Sequence, residues 1–216
     1  MYIDIVTHLL PAVDDGSRTL EETLKELNRY RHNNITHVIF TPHINHPTIK
    51  TDITKIKEKY AELKDTIEKN TGVKTYLASQ FYVTPKATEF IPYNEKFVFV
   101  EFAIDTLPMY AFDSIFNLQL DGYDVVLLHV ERYQWLIENK NVVRRLKEMN
   151  VLFEMNFERL DTKNAKYYLE NHLVNFLATN NHLKKDQNEI DLTLFSKYAR
   201  ITEKAFDILN ISTVSP

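Results

Sequence analysis

Histidine and acidic side chains recur directly after short apolar runs in this sequence, and together these residue types can bind a metal ion. Five residues occupy such positions: His8, His43, Glu101, His129 and His182. Imidazole nitrogens and carboxylate oxygens are common protein ligands of divalent metals. Four of the eight histidines in the chain fall at these equivalent places. If the ends of the runs converge in the fold, the pattern predicts one metal site with nitrogen and oxygen ligands.

The elements that must position these residues alternate along the chain. Seven apolar runs, rich in Val, Ile, Leu and Phe as in strands buried on both faces, lie at 3–5, 37–40, 75–78, 97–100, 125–128, 151–155 and 174–178. The segments between them predict helices that open at Ser17 and then span 52–70, 113–120, 141–149, 163–171 and 191–209. This alternation implies a mostly parallel sheet, open or closed into a barrel. Because the carboxyl ends of its strands meet at one rim, we expect the five residues in one pocket.

Composition narrows the classes of function. The 216 residues fit one α/β domain, and a net charge of −4 indicates neither a nucleic-acid nor an anionic-membrane surface. The chain has no cysteine, which excludes disulfides, thiolate zinc sites and thiol nucleophiles. Its three glycines do not form a phosphate-binding glycine loop. The apolar runs are too short to cross a bilayer, and the early acidic residue Asp4 is unlike a signal peptide, so the sequence predicts a cytoplasmic protein.

Each candidate ligand, taken alone, has a simpler explanation. A lone histidine near a strand end is more often structural or solvent-facing than metal-binding, and Glu101 alone would be explained by a salt bridge. The other four histidines lie in predicted helices, turns or strand starts, where the simpler explanation holds: His32, His37, His46 and His172. His46 is a partial exception because it is close to His43 in the chain. The joint pattern, rather than any one residue, favours a metal site.

Four motifs, in order, resemble those of a known family. Residues 4–16 read D-I-V-T-H-L-L-P-A-V-D-D-G and resemble the opening D-I-H-[ST]-H-[IL]-L-P-x-[IV]-D-D-G of the capsule-associated bacterial protein-tyrosine phosphatases. These enzymes belong to the PHP (polymerase and histidinol phosphatase) superfamily. T-P-H at 41–43 matches their T-P-H, H-V-E-R-Y at 129–133 resembles their H-P-E-R-Y, and T-N-N-H at 179–182 stands where they have S-D-x-H. The resemblance extends from Met1 to about Asn210.

The resemblance implies a distorted seven-stranded α/β barrel of the PHP type, forming a single domain over 1–216. It implies a cluster of divalent metals, commonly manganese with iron or zinc as alternatives, that hydrolyses phosphotyrosine on proteins. The usual substrate is the tail of a bacterial tyrosine kinase that controls capsule or exopolysaccharide export. In such a site, Arg132 matches the arginine that neutralises phosphoryl charge. The matched metal ligands are His8, His43, Glu101, His129 and His182.

Three further ligand positions depart from the family pattern. Val6 replaces the first histidine of H-x-H, Gln80 a metal-bridging glutamate, and Asn180 the aspartate of S-D-x-H. Valine has no lone pair, and the two amides keep an oxygen but lose the charge. Among the matched positions Glu101 is then the one remaining carboxylate, which cannot offset the charge of about +6 that three divalent ions bring. We therefore expect fewer ions than in the relatives. Lys184 and Lys185 lie where some relatives have an arginine, and lysine attracts phosphate as a point charge.

Three interpretations of this pattern stay open. The protein is an impaired or altered metal-dependent tyrosine phosphatase, or a pseudophosphatase that binds a partner or a phosphotyrosine segment without cleaving it. A third interpretation is another PHP phosphoesterase, such as a histidinol-phosphatase-like enzyme, although the short chain and the H-V-E-R-Y run argue against it. The sequence decides neither whether the protein is an enzyme nor its oligomeric state. Metal content would best separate the first two interpretations.

Overall fold

A computed structural model describes residues 1–183 and 189–212, so Lys184 and Lys185 lie outside the described residues. The strands in these ranges are β1 (Tyr2–Thr7), β2 (Ile35–Phe40), β3 (His43–Ile44), β4 (Lys74–Leu77), β5 (Gln80–Tyr82), β6 (Phe97–Glu101), β7 (Asp124–Leu127), β8 (Leu152–Asn156) and β9 (Phe176–Ala178). The helices are α1 (Leu20–His32), α2 (Ile53–Thr71), α3 (Ala111–Leu120), α4 (Gln134–Ile137), α5 (Lys140–Glu148), α6 (Lys163–Glu170), α7 (Leu194–Lys197), α8 (Ala199–Thr202) and α9 (Lys204–Ile208).

The strands form a curled parallel sheet. One part has the order β1-β2-β4 and the other the order β3-β5-β6-β7-β8-β9. Backbone hydrogen bonds continue the β2–β4 pairing towards β3–β5, because the Ala78 N–H donates to the Phe40 carbonyl (2.9 Å) and the Gln80 N–H donates to the Pro42 carbonyl (3.1 Å). At the opposite edge, the Asn180 N–H donates to the Val6 carbonyl (3.0 Å) and the His8 N–H to the Asn181 carbonyl (2.9 Å). The chain therefore has a mixed α/β fold in which the last strand curls round to the first.

Alternate strand residues pack on opposite faces of the sheet, as the unbroken apolar runs predict. Val98 and Val100 of β6 pack in the core beneath the helices, whereas Phe97 and Phe99 pack in a second cluster on the other face. Both sets are buried. Burial on two faces is why these strands read as continuous apolar runs rather than as an alternating pattern.

Helix α2 illustrates how well local signals set the element ends. The Asp52 carboxylate accepts hydrogen bonds from the Thr54 and Lys55 N–H groups (2.9 and 3.2 Å), and Gly72 ends the helix with a φ of 67°. An acceptor before the first turn and a left-handed glycine after the last are ordinary helix boundaries. No helix in the described ranges is long and apolar enough to cross a membrane.

The predicted single helix over 191–209 is wrong. Three short helices, α7, α8 and α9, occupy this stretch. The buried Thr202 hydroxyl donates to the carbonyl of Phe195 (2.7 Å), seven residues earlier, which an unbroken α-helix does not allow. Sequence periodicity also missed three short elements, β3, β5 and α4. The two strands are only two and three residues long, and each begins three residues after a longer strand, β2 or β4, ends.

Candidate metal centre

The structure places the five predicted ligands at the carboxyl ends of strands. His8, His129 and His182 follow β1, β7 and β9, and Glu101 ends β6. His43 follows the carboxyl end of β2 and is also the first residue of the short strand β3. All five are buried. Buried imidazoles and carboxylates need polar partners, since an unpaired polar group in the interior is costly.

Three of these histidines stack against one another beside an aspartate. The ring centroids of His8 and His182 lie 3.8 Å apart at an interplanar angle of 12°, and those of His8 and His43 lie 4.4 Å apart. Asp15 Oδ1 lies 3.1 Å from His182 Nδ1 and 3.5 Å from His43 Nε2. We call His8, Asp15, His43 and His182 the histidine–aspartate cluster. Each residue offers one ligand atom, and these atoms all lie within 4.8 Å of one another.

The His8 ring is bonded at both nitrogens. Its Nδ1 lies 2.6 Å from Asp14 Oδ2, and its Nε2 lies 3.1 Å from the Gln80 side-chain oxygen. Because the Gln80 amide nitrogen donates to Glu101 Oε2 (2.7 Å), the oxygen must be the atom facing His8. Two acceptors at one imidazole are the arrangement of a protonated ring. Burial lowers the pKa of His8. The neighbouring Asp14 carboxylate raises that pKa by more than burial lowers it, so the net pKa is above the usual value.

A tight loop brings Asp14 and Asp15 to the histidines. The Ser17 N–H donates to the His8 carbonyl (2.9 Å), and the Gly16 N–H donates to Asp14 Oδ1 (3.1 Å). A Cβ atom at Gly16 would overlap the carbonyl oxygen and Cβ of His8. The sequence reasoning missed both aspartates because they follow a loop rather than an apolar run. The D-D-G end of the family's opening motif was the signal that could have found them.

We call the three positions that depart from the family pattern the substituted side: Val6, Gln80 and Asn180. Each of them has different surroundings. Val6 is fully buried and packs with the apolar cluster of Ile5 and Ile39. Gln80 joins His8 to Glu101, as described above. Asn180 takes a positive φ of 50°, and its buried Oδ1 has no hydrogen-bond partner in the described part of the chain. Apolar packing at Val6 and hydrogen bonds at Gln80 thus stand where the family pattern has an imidazole and a carboxylate ligand.

Glu101 and His129 lie at the far end of the pocket. Glu101 Oε2 is 4.0 Å from His129 Nε2, and Glu101 Oε1 is 3.8 Å from His43 Nδ1. Burial raises the pKa of Glu101 to about 7. Burial, followed by the charge of Arg132, holds the pKa of His129 well below its usual value. Glu101 thus lies between two neutral imidazoles.

Arg132 is held by groups behind the pocket. Its Nε lies 3.6 Å from Glu131 Oε1, and its Nη2 donates to the Asn156 side-chain oxygen (2.5 Å) when that amide is oriented to donate to Glu154 Oε1 (3.1 Å). The Glu154 carboxylate also accepts from the His129 N–H (2.8 Å). Both glutamates are buried, and both were missed because they lie within a predicted strand and motif rather than after them. The Arg132 side chain is 24% exposed, so it borders the solvent side of the pocket.

The donor set fits a divalent ion. Among the described residues, His43 Nδ1, Glu101 Oε1 and His129 Nε2 are buried side-chain atoms without a hydrogen-bond partner. Such atoms are costly in a protein interior unless a ligand satisfies them. Glu101 Oε1 lies 3.8 Å from His43 Nδ1, a distance that leaves room for an ion whose ligands each lie about 2.0–2.2 Å away, and His129 Nε2 lies 4.0 Å from the other carboxylate oxygen, Oε2. A second candidate group comprises His43, His46 and Glu101.

This fold and this pocket define a class of α/β protein with a candidate divalent-metal centre at the carboxyl ends of parallel strands. A sequence model of the family described as capsular polysaccharide synthesis, CpsB/CapC, matches residues 2–204. The chain therefore belongs to the CpsB/CapC family, and the resemblance drawn from the four motifs is confirmed.

Individual relatives agree with this assignment. CapC of Staphylococcus aureus is 27% identical over 199 residues, covering 83% of this chain and 76% of CapC. The tyrosine-protein phosphatase YwqE of Bacillus subtilis is 26% identical over 201 residues, covering 86% and 79%. The tyrosine-protein phosphatase CpsB of Streptococcus agalactiae serotype V is 26% identical over 200 residues, covering 83% and 82%.

Solved structures agree on the fold. A crystal structure from work on YwqE of Bacillus subtilis and CpsB of Streptococcus pneumoniae, described there as unique metal-dependent tyrosine phosphatases, matches with a TM-score of 0.82. The match has 23% identity and covers 99% of this chain and 96% of that one. The phosphotriesterase homology protein of Escherichia coli, with phosphate in its active site, matches at a TM-score of 0.58 and 9% identity, covering 95% and 92%. The fold class, a curled parallel α/β sheet, is thereby confirmed.

Proposed function

We propose that this protein is a metal-dependent protein-tyrosine phosphatase homologue with impaired activity, which acts on phosphotyrosine proteins in capsule or exopolysaccharide regulation. The observation that carries the proposal is the bonding of Gln80. Its amide joins His8 to Glu101 at the position where the family pattern has a carboxylate between metals. A neutral amide that already bonds both neighbours is a poor bridge between two cations.

The proposed centre holds fewer ions than the family pattern. Asp15, His43 and His182 would hold one divalent ion, and Glu101 and His129 offer the nearest further ligands. Asp15 adds a carboxylate that the sequence count omitted, so Asp15 and Glu101 together supply two negative charges, enough to balance one divalent ion. Manganese is the proposed metal, with iron or zinc as alternatives that the same donor types accept.

The residues around this centre have distinct roles in the proposed reaction. When bound, the metal would stabilise the negative charge on the phosphoryl oxygens and lower the pKa of a bound water. Arg132 would bind the phosphoryl group, since a guanidinium matches two phosphate oxygens at once. Glu131 and Asn156 hold the guanidinium in place. The proposed substrate is a phosphotyrosine segment, for instance the tail of a bacterial tyrosine kinase.

A rescue experiment tests the proposal. The triple variant Val6→His, Gln80→Glu and Asn180→Asp restores the family's ligand types. We expect more metal per chain by elemental analysis, and faster hydrolysis of a phosphotyrosine peptide, than in the wild type. A wild type that already holds a full cluster and turns over at roughly 1 per second or more would overturn the proposed impairment.

The pseudophosphatase alternative draws support from the same bonds. His8 is hydrogen-bonded to Asp14 and Gln80, and Gln80 to one carboxylate oxygen of Glu101, so the link between His8 and Glu101 needs no ion to keep its shape. A wild type that binds a phosphotyrosine peptide but never cleaves it, even with manganese, would favour this alternative over the enzyme. Cleavage of other phosphate esters in preference to phosphotyrosine would favour another PHP phosphoesterase instead.

We extend the proposal to the architecture of the whole chain. The hydrogen bonds between β9 and β1, and those from β2–β3 to β4–β5, support one closed barrel in which β2 with β3 and β4 with β5 each count as one bent strand, giving seven. On this proposal residues 1–216 form a single PHP-type domain. A cytoplasmic location stays a prediction of the sequence.

A further inference from the structure

A cavity of about 410 Å³ lies at the amino end of β9, away from the carboxyl ends of the strands that carry the candidate metal centre. Val174 and Asn175, which line it, directly precede β9, whereas His182 follows β9. The remaining walls come from the end of α6 and from the three short helices α7, α8 and α9. A cavity of this volume can hold a small ligand or one large side chain of a partner.

Positive charge dominates the polar lining of this cavity, which we call the cationic cavity. Helices α7, α8 and α9 each contribute one cation to it, respectively Lys197, Arg200 and Lys204. None of the described residues that line it is acidic. Arg200 and Lys204 form no ion pair with a carboxylate within the described ranges, unlike Arg144, which lies 3.8 Å from Glu148. The charges of Arg200 and Lys204 are therefore available to an anion.

Asn175 adds a neutral donor whose orientation is set by hydrogen bonds to its side-chain oxygen. This oxygen accepts from the Phe153 N–H (2.9 Å) and from Lys147 Nζ (3.1 Å). Because two donors hold the oxygen, the amide nitrogen is turned away from them, and no residue in the described part of the chain accepts from it. Asn175 lines the cavity, so this nitrogen is the atom left to donate to a ligand. A donor held in one orientation binds an anion without first losing side-chain freedom.

Aliphatic side chains form the apolar part of the lining: Leu169, Val174, Ile201 and Ile208. Val174 is buried and the other three are half-buried. Tyr198 also borders the cavity. An apolar surface beside cations favours a ligand with an apolar body and an anionic group. The body removes aliphatic surface from water, and the guanidinium of Arg200 can bind two phosphate oxygens at once.

We propose that the cationic cavity binds a phosphotyrosine side chain of the substrate protein at a second site, separate from the candidate metal centre. The phosphoryl group pairs with Arg200 and Lys204, and the ring covers Ile201 and Ile208. The choice of phosphotyrosine rests on the proposed function, which supplies this group, whereas the cavity and its charges do not depend on that function. A substrate with two phosphotyrosines can then occupy both sites, and binding at one raises the effective concentration at the other.

The probe for the cavity is phenylphosphonate, a phosphotyrosine mimic whose carbon–phosphorus bond is not hydrolysed. NMR of protein with labelled isoleucine methyl groups reports on the site directly, because Ile201 and Ile208 line the cavity. The variants Ile201→Val and Ile208→Val assign the two signals. We expect both signals to shift and to saturate as phenylphosphonate is added to the wild type. The same shifts should persist in Arg132→Ala, since Arg132 belongs to the candidate metal centre.

The double variant Arg200→Gln/Lys204→Gln should bind phenylphosphonate roughly 10-fold or more weakly, because it loses two charge-assisted hydrogen bonds. The matched control is Arg144→Gln/Lys55→Gln, which removes the same charge from exposed positions outside the cavity and should bind like the wild type. Unshifted isoleucine signals in the wild type, or unchanged affinity in Arg200→Gln/Lys204→Gln, would overturn the inference and leave the proposed function standing.

Three further results would also overturn the inference. Orthophosphate that shifts the two isoleucine signals with the affinity of phenylphosphonate would show that the apolar lining plays no part. Tighter binding of hexylphosphonate than of phenylphosphonate would assign the cavity to an alkyl phosphate instead of phosphotyrosine. Loss of the shifts in Arg132→Ala would show that they arise from binding at the metal centre.

A peptide measurement tests whether a substrate uses both sites. Two residues of phosphonomethyl-phenylalanine, a hydrolysis-resistant form of phosphotyrosine, are joined by a flexible spacer of about 20 residues, which spans up to roughly 65 Å. We expect this peptide to bind the wild type at least about 10-fold more tightly than a peptide with one such residue. The gain should disappear in Arg200→Gln/Lys204→Gln, and a gain that survives there would contradict the second site. Absence of phosphotyrosine hydrolysis by the wild type, with the isoleucine shifts retained, would overturn the proposed phosphatase activity while the binding site stands.

Discussion

The histidine–aspartate cluster and the substituted side lie in one pocket but are built on different chemistry. In the cluster, Asp15 lies within 3.5 Å of nitrogens of both His43 and His182. On the substituted side, Val6 packs in an apolar core and Gln80 bonds its neighbours directly. The difference teaches that one side of a pocket can change its chemistry while the other keeps its candidate ligands. Amides of nearly the same shape as carboxylates fill the volume on the substituted side, and Gln80 forms hydrogen bonds there to its protein neighbours.

The pKa values of His8 and His43, two neighbouring histidines of the cluster, are shifted in opposite directions. Burial lowers the pKa of both His8 and His43. His8 bonds Asp14 directly, and its pKa ends above the usual value. The positive charge of His8 then lowers the pKa of His43 further. The pocket therefore keeps one charged imidazole paired with Asp14 and leaves His43 neutral, the form that binds metal.

The largest expected effect is a loss of folding stability in Asp14→Asn, measured on protein from which metal has been removed with a chelator. Removing one partner of a fully buried ion pair leaves the other charge unpaired, which costs about 3–5 kcal/mol. The pKa of Asp14 is below its ordinary 3.8, so its contribution is present above pH 3.8 and lost as pH falls. The pKa of His8 is above its ordinary 6.5, so its contribution is present below pH 6.5 and lost as pH rises through the folded value.

The measurement is urea unfolding of wild type and variant with chelator, over pH 4 to 9. The difference in unfolding free energy should be greatest between about pH 4 and 6.5 and should shrink at pH 9. Glu21→Gln, an exposed charge on α1, is the control and should change stability little. A difference that does not vary with pH would contradict the ion pair.

The next prediction compares the metal affinity of Asp15→Asn with that of Asn180→Ala. Asp15 is a candidate ligand, and because changes to groups behind a ligand already cost roughly 10–100-fold in affinity, losing Asp15 should cost about 100-fold or more. Asn180 belongs to the substituted side, so its loss should change affinity less than about threefold on the same scale. Manganese titration against a competing chelator measures both. Equal losses would show that the two sides bind metal together.

Gly16→Ala should destabilise the loop that carries both aspartates. The new Cβ would overlap backbone atoms of His8, which cannot move as a flexible side chain would. We expect a loss of about 1–3 kcal/mol, typical of overpacking, together with weaker metal binding. Gly122→Ala is the matched control, because its φ is 93° but nothing lies within 4 Å of the added atom. Its cost should be about 1 kcal/mol, without a change in metal affinity.

The smallest effect is expected from Gln80→Met, which keeps the volume but removes the bonds to His8 and Glu101. Unfolding with chelator should show a loss of about 1–2 kcal/mol, the cost of two buried hydrogen bonds. Manganese affinity should stay close to that of the wild type. A large drop in affinity would mean that Gln80 supports the cluster rather than merely filling the substituted side.

The sequence predicted the elements well where one physical signal dominates. Each of the seven apolar runs corresponds to a strand, and Asp52 and Gly72 marked the ends of α2. It failed where tertiary contacts compete with periodicity. The long amphipathic stretch after Ile190 reads as one helix, yet the buried hydroxyl of Thr202 binds a carbonyl seven residues away and divides it.

Within the site too, the residues placed by strand ends were predicted from the sequence, whereas those placed by tertiary contacts were not. His8, His43, Glu101, His129 and His182 were found because parallel strands bring their ends together, which spacing alone reveals. Asp14 and Asp15 were missed because a loop delivers them, and loop geometry depends on contacts such as that of Gly16 with His8. The metal roles of these residues stay predictions. The charge argument was correspondingly incomplete, since it counted one carboxylate where the pocket has at least two.

The meeting of β1 and β9 has a consequence for how the protein is made. The Thr179 N–H donates to Asp4 across a separation of 175 residues. At 5–20 residues per second, a ribosome needs roughly 9–35 s to synthesise the intervening chain. During that time one edge of the apolar strand β1 has no neighbour, and such edges recruit other chains. Formation of the pocket therefore belongs to the last stage of folding, and the nascent chain is most open to aggregation before its seventh apolar run emerges.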